Sequence, residues 1–198
     1  FEYGHNTREL GLMYSRGLDP HGINTLYAYS DASHQPPRSQ GCTCVLLNGA
    51  AVAVETKKHT VTGMSTCHDE LIQFKKGGCK VLGFRNLMQE GGMYQQAPTT
   101  VYQDNQATIK VLENRGSLSS RTRHIDLDTL AARNMVEDQL VKPVYKCTAQ
   151  MVADFGTKAL PEEQFKLFRD IVNGYGLVKH HMPDVKVPSM VVDPWTRK

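Results

Sequence analysis

Two aspartates stand at the ends of two strand-like segments. Asp31 follows the apolar residues 26–29, and Asp104 follows the β-branched and aromatic residues 99–103. Aspartate is unfavourable inside strands, so at a strand end it either caps a turn or does chemistry. If the two strands are parallel neighbours, both carboxylates lie at the edge of the sheet where α/β proteins bind ligands. The spacing therefore predicts a carboxylate site at that edge.

Two further acids extend this candidate site. Glu70 falls in a long helical pattern, and Asp154 falls in a segment with helical character. Two divalent ions about 4 Å apart can stabilise the attacking and leaving oxygens of a phosphodiester displacement, and magnesium prefers oxygen ligands. Each acid taken singly is typical of an ordinary surface residue. Only the order strand-Asp, helix-Glu, strand-Asp, helix-Asp indicates a two-metal nuclease.

The elements that must position these acids follow from hydrophobic periodicity and turn residues. Residues 25–31, 41–47 and 50–57 predict a three-stranded meander, with Asn48-Gly49 as a hairpin turn. A helix capped by Ser65 or Thr66 follows and ends at Gly91-Gly92. The pair Gly77-Gly78 inside this helix indicates a kink or a close approach to the sheet.

The second half of the chain predicts alternating strands and helices. Strands are expected at 99–104 and 141–147, and helices at 106–113, 125–139, 149–160 and 161–172. The lead-in before residue 25 reads as a linker with one short strand near 11–15. Residues 1–20 and 180–198 are rich in Gly, Pro and polar residues and are expected to add little to the core. Trp195 is the candidate anchor for a partner in the tail.

The bulk properties are those of one sizeable domain with extensions. The chain has 198 residues and a net charge of +3, from 23 basic and 20 acidic residues, which does not by itself indicate a polyanionic partner. Five cysteines, an odd number, argue against a disulfide framework and for a reducing compartment. Cys42 and Cys44 share a strand face without a matching pair to complete a zinc site, so we expect them to be structural.

No apolar run spans a membrane and no signal peptide is evident. The start at Phe1 suggests a fragment of a longer protein.

Five motifs in order carry a resemblance to a known family. They are Y-S-D-A at 29–32, S-T-C-H-D-E-L at 65–71, V-Y-Q-D-N-Q at 101–106, R-T-R-H-I-D-L at 121–127 and V-A-D-F-G-T-K-A-L at 152–160. Over about residues 6–172 the chain resembles the ribonuclease H domain of copia-type LTR retrotransposon Pol polyproteins. Residues 7–15 are similar to the segment that joins reverse transcriptase to this domain.

The resemblance implies a fold and a domain plan. The fold is α/β and ribonuclease H-like: a five-stranded mixed sheet, with three antiparallel strands and then two parallel ones, and helices on both faces. The implied domain plan is a lead-in at 1–24, the ribonuclease H-like domain at 25–174 and an extended tail at 175–198.

The resemblance also implies a function. The implied activity is metal-dependent cleavage of the RNA strand of RNA–DNA hybrids during reverse transcription. Its acidic ligands are Asp31, Glu70, Asp104 and Asp154, which would hold two Mg²⁺ or Mn²⁺ ions with no small-molecule cofactor. The implied partners are the hybrid and the reverse transcriptase domain of the same polyprotein, with no membrane. The implied location is a cytoplasmic virus-like particle, with the nucleus as an alternative.

Seven residues are candidates for contacts to nucleic acid. They are Ser33, Asn105, Gln106, Arg121, Arg123, His124 and Lys158. Ribonucleases H resemble one another in carrying a histidine in the loop before the final catalytic helix. That loop here, 147–150, has none, so His124 becomes the candidate for assisting product release, with a purely structural role as the alternative.

Departures from the family pattern keep other functions open. His68 stands where the family has a second Glu, and the double glycine in the long helix is unusual. Both features favour a decayed or domesticated module that binds nucleic acid or a protein partner without cleaving. A third alternative is an integrase-type core with Glu137 as its third acid, which would leave Glu70 and Asp154 without a role.

Overall fold

A single five-stranded mixed sheet forms the centre of the molecule. The computed structural model describes residues 10–15, 17–35, 37–60, 63–114 and 127–176. The strands are β1 (Leu26–Ser33), β2 (Gln40–Leu47), β3 (Ala50–Lys58), β4 (Thr99–Gln103) and β5 (Val141–Tyr145). Their spatial order is β3-β2-β1-β4-β5. The pairs β1–β2 and β2–β3 are antiparallel, whereas β1–β4 and β4–β5 are parallel. This order and these directions confirm the predicted ribonuclease H-like sheet.

Strand β1 lies at the centre of the sheet and is buried on both faces. Leu26 and Ala28 pack into the core on one face, while Tyr27 and Tyr29 pack into the core on the other. This division follows from the two-residue period of a strand. Pro143 lacks an amide hydrogen, which suits the edge position of β5.

Helices cover both faces, as predicted. They are α1 (Thr66–Glu90), α2 (Gln106–Glu113), α3 (Leu127–Glu137) and α4 (Glu162–Val172). Phe74 of α1, Leu112 of α2 and Ala132 of α3 share one core, and Phe168 of α4 belongs to the core on the opposite face. None of the helices in the described ranges has the length and apolarity needed to span a membrane.

The two central glycines of α1 mark close approaches to other elements. A Cβ on Gly77 would lie 3.1 Å from Thr43 Oγ1 in β2, and one on Gly78 would lie 2.6 Å from Met135 Sδ in α3. The first distance confirms the predicted close approach of this helix to the sheet. The second shows that the neighbouring glycine accommodates α3.

The predicted helix over residues 149–160 is wrong. Two short 3-10 helices, Thr148–Gln150 and Val152–Gly156, occupy this region. The segment lies so close to β2 that a Cβ on Gly156 would be 2.5 Å from Cys42 Sγ. Tertiary contacts of this kind override a local helical preference. Asp154 therefore projects from a tight 3-10 turn and not from an α-helix.

The predicted strand near residues 11–15 is also wrong. The amide of Met13 donates to Asn173 O at 2.8 Å, and the amide of Ser15 donates to Asn48 O at 2.9 Å. One main-chain hydrogen bond to each of two different segments does not form a β-ladder. Tyr14 also donates its hydroxyl to Ala51 O at 2.8 Å. Residues 10–15 are therefore hydrogen-bonded to the rest of the domain without entering its core, and residues 180–198, with Trp195, lie outside the described residues.

The cysteine pair in β2 is buried and reduced. Cys42 and Cys44 point to the same face with their sulfurs 3.9 Å apart, and both are free thiols. They pack with Tyr29 in the core beneath α4. The arrangement agrees with the structural role expected from the sequence.

Candidate metal centre

Three carboxylates meet at one edge of the sheet. One oxygen from each of Asp31, Glu70 and Asp104 lies within 4.8 Å of the other two. The parallel register pairs Tyr29 of β1 with Tyr102 of β4, and each aspartate comes two residues later. The two acids therefore reach the same edge, as the sequence predicts, because parallel strands end together.

Helix α1 delivers Glu70 to this edge. Ser65 caps the helix by accepting a hydrogen bond from the amide of His68 at 3.2 Å. Glu70 Oε2 accepts from the amide of Ala32 at 3.1 Å and from the side-chain amide of Gln103 at 2.7 Å. The carboxylate is thus held by the residue after Asp31 and by the last residue of β4.

Two threonines supply hydroxyls that the sequence did not reveal. Thr157 donates its hydroxyl to Asp31 Oδ2, and Thr148 donates to Asp104 Oδ2 at 2.8 Å. Both come from the segment around the 3-10 helices. The only signal in the sequence was the position of Thr157, three residues after Asp154.

Asp154 lies beside the three clustered acids and is buried with 1% exposure. Its Oδ2 forms an ion pair with Lys158 Nζ at 3.0 Å. Its Oδ1 is buried and has no hydrogen-bond partner among the described residues. A buried, unbonded carboxylate oxygen is costly, so this atom is suited to meet a ligand.

The electrostatics of the site disfavour three carboxylate charges at once. Burial, and then repulsion by Asp31, raises the pKa of Glu70 to about 9. Burial and the same repulsion raise the pKa of Asp154 to about 7, although Lys158 opposes the shift. Burial also raises the pKa of Asp31, against the hydrogen bond from Thr157. A divalent cation would relieve this repulsion, and the all-oxygen donor set fits magnesium.

An open cleft of about 590 Å³ gives access to the carboxylates. Four of the predicted nucleic-acid contacts line it with them: Ser33, Asn105, Gln106 and Lys158. Asn105 has a second duty, because its Oδ1 caps α2 by accepting from the amides of Ala107 and Thr108. Arg121, Arg123 and His124 lie outside the described residues, and their roles stay predictions.

The other two residues weighed from the sequence lie apart from the carboxylates. Glu137 ends α3 and lines a separate pocket with Pro98 and Val141. Pro98 and Val141 lie where β4 and β5 begin, whereas Asp104 follows the last residue of β4, so Glu137 is at the opposite end of the strands from the carboxylates. His68 does not belong to the group of three carboxylates.

Comparison with curated proteins finds relatives among retrotransposon polyproteins. The chain is 30% identical over 125 residues to a retrovirus-related Pol polyprotein from transposon TNT 1-94 of Nicotiana tabacum, covering 63% of the chain and 9% of the polyprotein. It is 28% identical over 167 residues to the transposon Ty1-ER2 Gag-Pol polyprotein of Saccharomyces cerevisiae, covering 82% of the chain and 9% of that polyprotein. The chain thus spans about a tenth of the length of these relatives. A comparison with protein-family models found no match.

Solved structures that are similar to the chain include two ribonuclease H proteins. One is ribonuclease H1 from Halobacterium salinarum, with a TM-score of 0.47 and 12% identity over 65% of this chain and 90% of that one. The other is an N-terminal ribonuclease H domain from Mycobacterium tuberculosis, with a TM-score of 0.48 and 8% identity over 74% and 95%. The fold class rests on the strand order and directions given above. The sequence relatives confirm the resemblance to copia-type retrotransposon Pol polyproteins, and the chain carries the ribonuclease H-like fold.

Proposed function

We propose that this chain is a divalent-metal-dependent endonuclease that hydrolyses the RNA strand of RNA–DNA hybrids. The observation that carries the proposal is the meeting of Asp31, Glu70 and Asp104 within 4.8 Å at the floor of an open cleft. Each comes from a different element, so the cluster is a product of the fold and not of local sequence. The relationship to retrotransposon polyproteins supports the same assignment.

The residues have separable tasks in this proposal. Asp31, Glu70 and Asp104 would hold Mg²⁺ or Mn²⁺, and Asp154 would complete the shell of a second ion through its unbonded Oδ1. The bound ions would supply stabilisation of the attacking and leaving oxygens. Thr157 and Thr148 fix the aspartates by hydrogen bonds. Lys158 lines the cleft and would contact a phosphate.

The wider setting belongs to the same proposal. The substrate is the RNA–DNA hybrid formed during reverse transcription, and the covalent neighbour is the reverse transcriptase domain of a Pol polyprotein. The site of action is a cytoplasmic virus-like particle, with the nucleus as the alternative. The similarity to polyprotein segments supports the proposed covalent neighbour. The proposed domain plan keeps 25–174 as the nuclease, with a lead-in before it and a tail after it.

The test is cleavage of a labelled RNA–DNA hybrid with Mg²⁺, with Mn²⁺ and with EDTA. We expect cleavage with either ion, none with EDTA, and none of single-stranded DNA. Glu70→Gln should abolish cleavage, whereas Glu137→Gln, at the opposite end of the strands, serves as the matched control and should not. Loss of activity in Glu137→Gln alone would contradict the assignment of the site to Asp31, Glu70 and Asp104. Binding of the hybrid without metal-dependent cleavage would support the non-catalytic module.

A further inference from the structure

A histidine–aspartate pair stands at the rim of the carboxylate cleft. His34, in the loop after β1, places Nδ1 2.5 Å from Oδ2 of Asp69, the residue before Glu70. The aspartate side chain is fully buried, whereas the histidine side chain is one-third exposed. His34 also lines the cleft beside Asp31 and Glu70. Asp69 lies in the S-T-C-H-D-E-L motif, but the sequence did not indicate its pairing with His34.

The surroundings of Asp69 fix which nitrogen of His34 carries the proton. Ser39 donates its hydroxyl to Oδ2 at 2.6 Å, and the amide of Gly63 donates to Oδ1 at 2.9 Å. Both carboxylate oxygens are therefore acceptors, so Nδ1 of His34 must be the donor in its own hydrogen bond. In the neutral imidazole the remaining nitrogen, Nε2, is then an acceptor.

The acceptor nitrogen of His34 at the rim of the cleft can pair only with a hydrogen-bond donor of the nucleic acid. Phosphate oxygens accept hydrogen bonds and cannot pair with Nε2 of the neutral ring, and the deoxyribose backbone has no donor. The 2′-hydroxyl of RNA is a donor and is the group that distinguishes RNA from DNA. A buried polar partner holds the imidazole in place, which lowers the entropic cost of using it for recognition.

We propose that His34 is a specificity residue whose Nε2 accepts a hydrogen bond from a 2′-hydroxyl of the RNA strand in the cleft. The inference rests on the proposed function, because that function places a hybrid in the cleft. Asp69 acts as the positioning residue that sets the tautomer and orientation of the ring. The pair would thus favour an RNA-containing strand over a DNA strand next to the carboxylates.

The test measures binding separately from cleavage. Binding of an RNA–DNA hybrid and of a DNA duplex of the same sequence is compared in an Asp104→Asn background. We expect His34→Ala to weaken hybrid binding by about tenfold, the scale of one hydrogen bond, with little change for the DNA duplex. His34→Gln, which keeps an acceptor oxygen, should recover part of the loss. An equal loss for both duplexes, or no loss for either, would overturn the proposal.

The chain offers a matched control for this variant. His21 forms a similar pair with Asp19, with Nδ1 2.9 Å from Oδ1, and its Nε2 is 2.8 Å from the hydroxyl of Tyr102. It lines a different pocket from the carboxylate cleft. His21→Ala should leave the preference for hybrid over DNA duplex unchanged.

A second variant tests the tautomer directly. In Asp69→Asn the amide can donate to Nδ1 of His34, which would move the ring proton to Nε2 and remove the acceptor, as a carboxylate-to-amide change does in a catalytic triad. We expect the loss of hybrid preference seen in His34→Ala, with no added loss in the double variant. Independent, additive losses would contradict the positioning role. Thermal melting shows whether each variant is folded.

Failure of this inference is distinguishable from failure of the proposed function. A wild-type chain that cleaves the hybrid, with hybrid binding indifferent to His34→Ala, keeps the nuclease and removes the specificity residue. A wild-type chain that cleaves nothing, but whose preference for the hybrid depends on His34, removes the nuclease and keeps the specificity residue.

Discussion

Glu70 and Gln103 are joined by a buried hydrogen bond of 2.7 Å between the carboxylate of α1 and the last residue of β4. The same carboxylate oxygen, Oε2, also accepts from the amide of Ala32. Ala32 follows Asp31 in the chain, and Gln103 precedes Asp104. Oε2 of Glu70 is therefore bonded to the chain neighbours of both aspartates, and these two hydrogen bonds set the spacing of the three acids.

Gln103→Leu should weaken metal binding and stability together. The hydrogen bond from Gln103 lowers the pKa of Glu70 against burial and the charge of Asp31, so its loss should raise that pKa further and favour the protonated form. We expect a loss of about 1–2 kcal/mol in the free energy of unfolding, measured by urea denaturation. Half-maximal cleavage should need more Mg²⁺ than in wild type. An unchanged Mg²⁺ requirement would show that this bond does not set the affinity.

Asp31→Asn should abolish hybrid cleavage without destabilising the metal-free fold. The pKa of Asp31 is raised by burial and by the nearby Asp104, so removing its charge relieves the cluster. The asparagine oxygen can still accept the hydroxyl of Thr157. We expect the melting temperature in EDTA to be equal to or above that of wild type, and the stabilisation by Mg²⁺ to be reduced. Cleavage near the wild-type rate would contradict the two-metal assignment.

The metal-free protein should lose stability as the pH rises from about 5 to 9. The pKa of Asp154 is raised from 3.8 to about 7, and that of Glu70 from 4.5 to about 9. Both acids bind protons more tightly when folded, so unfolding releases protons and high pH favours the unfolded chain. Each protonated acid makes its full contribution to stability below about pH 4. The contribution of Asp154 is lost as the pH rises through about 7, and that of Glu70 as it rises through about 9.

Thermal melts in EDTA across this range provide the measurement. We expect the melting temperature at pH 9 to be at least about 3 °C below that at pH 5, the scale of about 1 kcal/mol for a chain of this size. Glu70→Gln should flatten the part of the curve between pH 7 and 9. Mg²⁺ should reduce the drop in wild type, because the ion binds the deprotonated carboxylates. A curve for Glu70→Gln parallel to wild type would assign the pH dependence to other groups.

Two glycines of α1 should respond oppositely to alanine. A Cβ on Gly83 meets nothing within 4 Å, so Gly83→Ala should stabilise the protein by about 1 kcal/mol through helix propensity. A Cβ on Gly77 would press on Thr43 Oγ1 at 3.1 Å. That hydroxyl is held by a hydrogen bond of 2.8 Å from Gln73, so Gly77→Ala should destabilise. Chemical denaturation measures the free energy of unfolding of both variants. Equal increases in the two variants would show that β2 can shift at Thr43 to accommodate the added methyl group.

Removal of residues 1–15 should destabilise the body measurably. Two main-chain hydrogen bonds and the hydroxyl of Tyr14 tie residues 10–15 to Asn173, Asn48 and Ala51. At about 1 kcal/mol for each bond, we expect a loss of roughly 1–3 kcal/mol. Removal of residues 180–198 is the comparison and is expected to change little. A truncation at residue 15 with a wild-type melting temperature would show that these bonds are marginal.

The sequence by itself determined the strand plan and three of the acids in the site. The apolar run of β1 and the Asn48-Gly49 turn are local signals, and they yielded the meander and its pairing. Asp31 and Asp104 reach one edge because parallel strands end together, so their meeting followed once the strands were assigned. The cap at Ser65 and the helical period placed Glu70 in the first turns of α1, and the order of the acids along the chain singled it out.

Only the tertiary structure decided what surrounds those acids. Thr157 bonds to Asp31 across 126 positions of chain, and His34 bonds to Asp69 across 35. Neither separation has a periodic or turn signature. The 3-10 path of residues 148–156 likewise depends on the close contact of Gly156 with Cys42. Local preferences fix elements over a few residues, whereas hydroxyls, tautomers and buried charges are set by groups that only folding brings together.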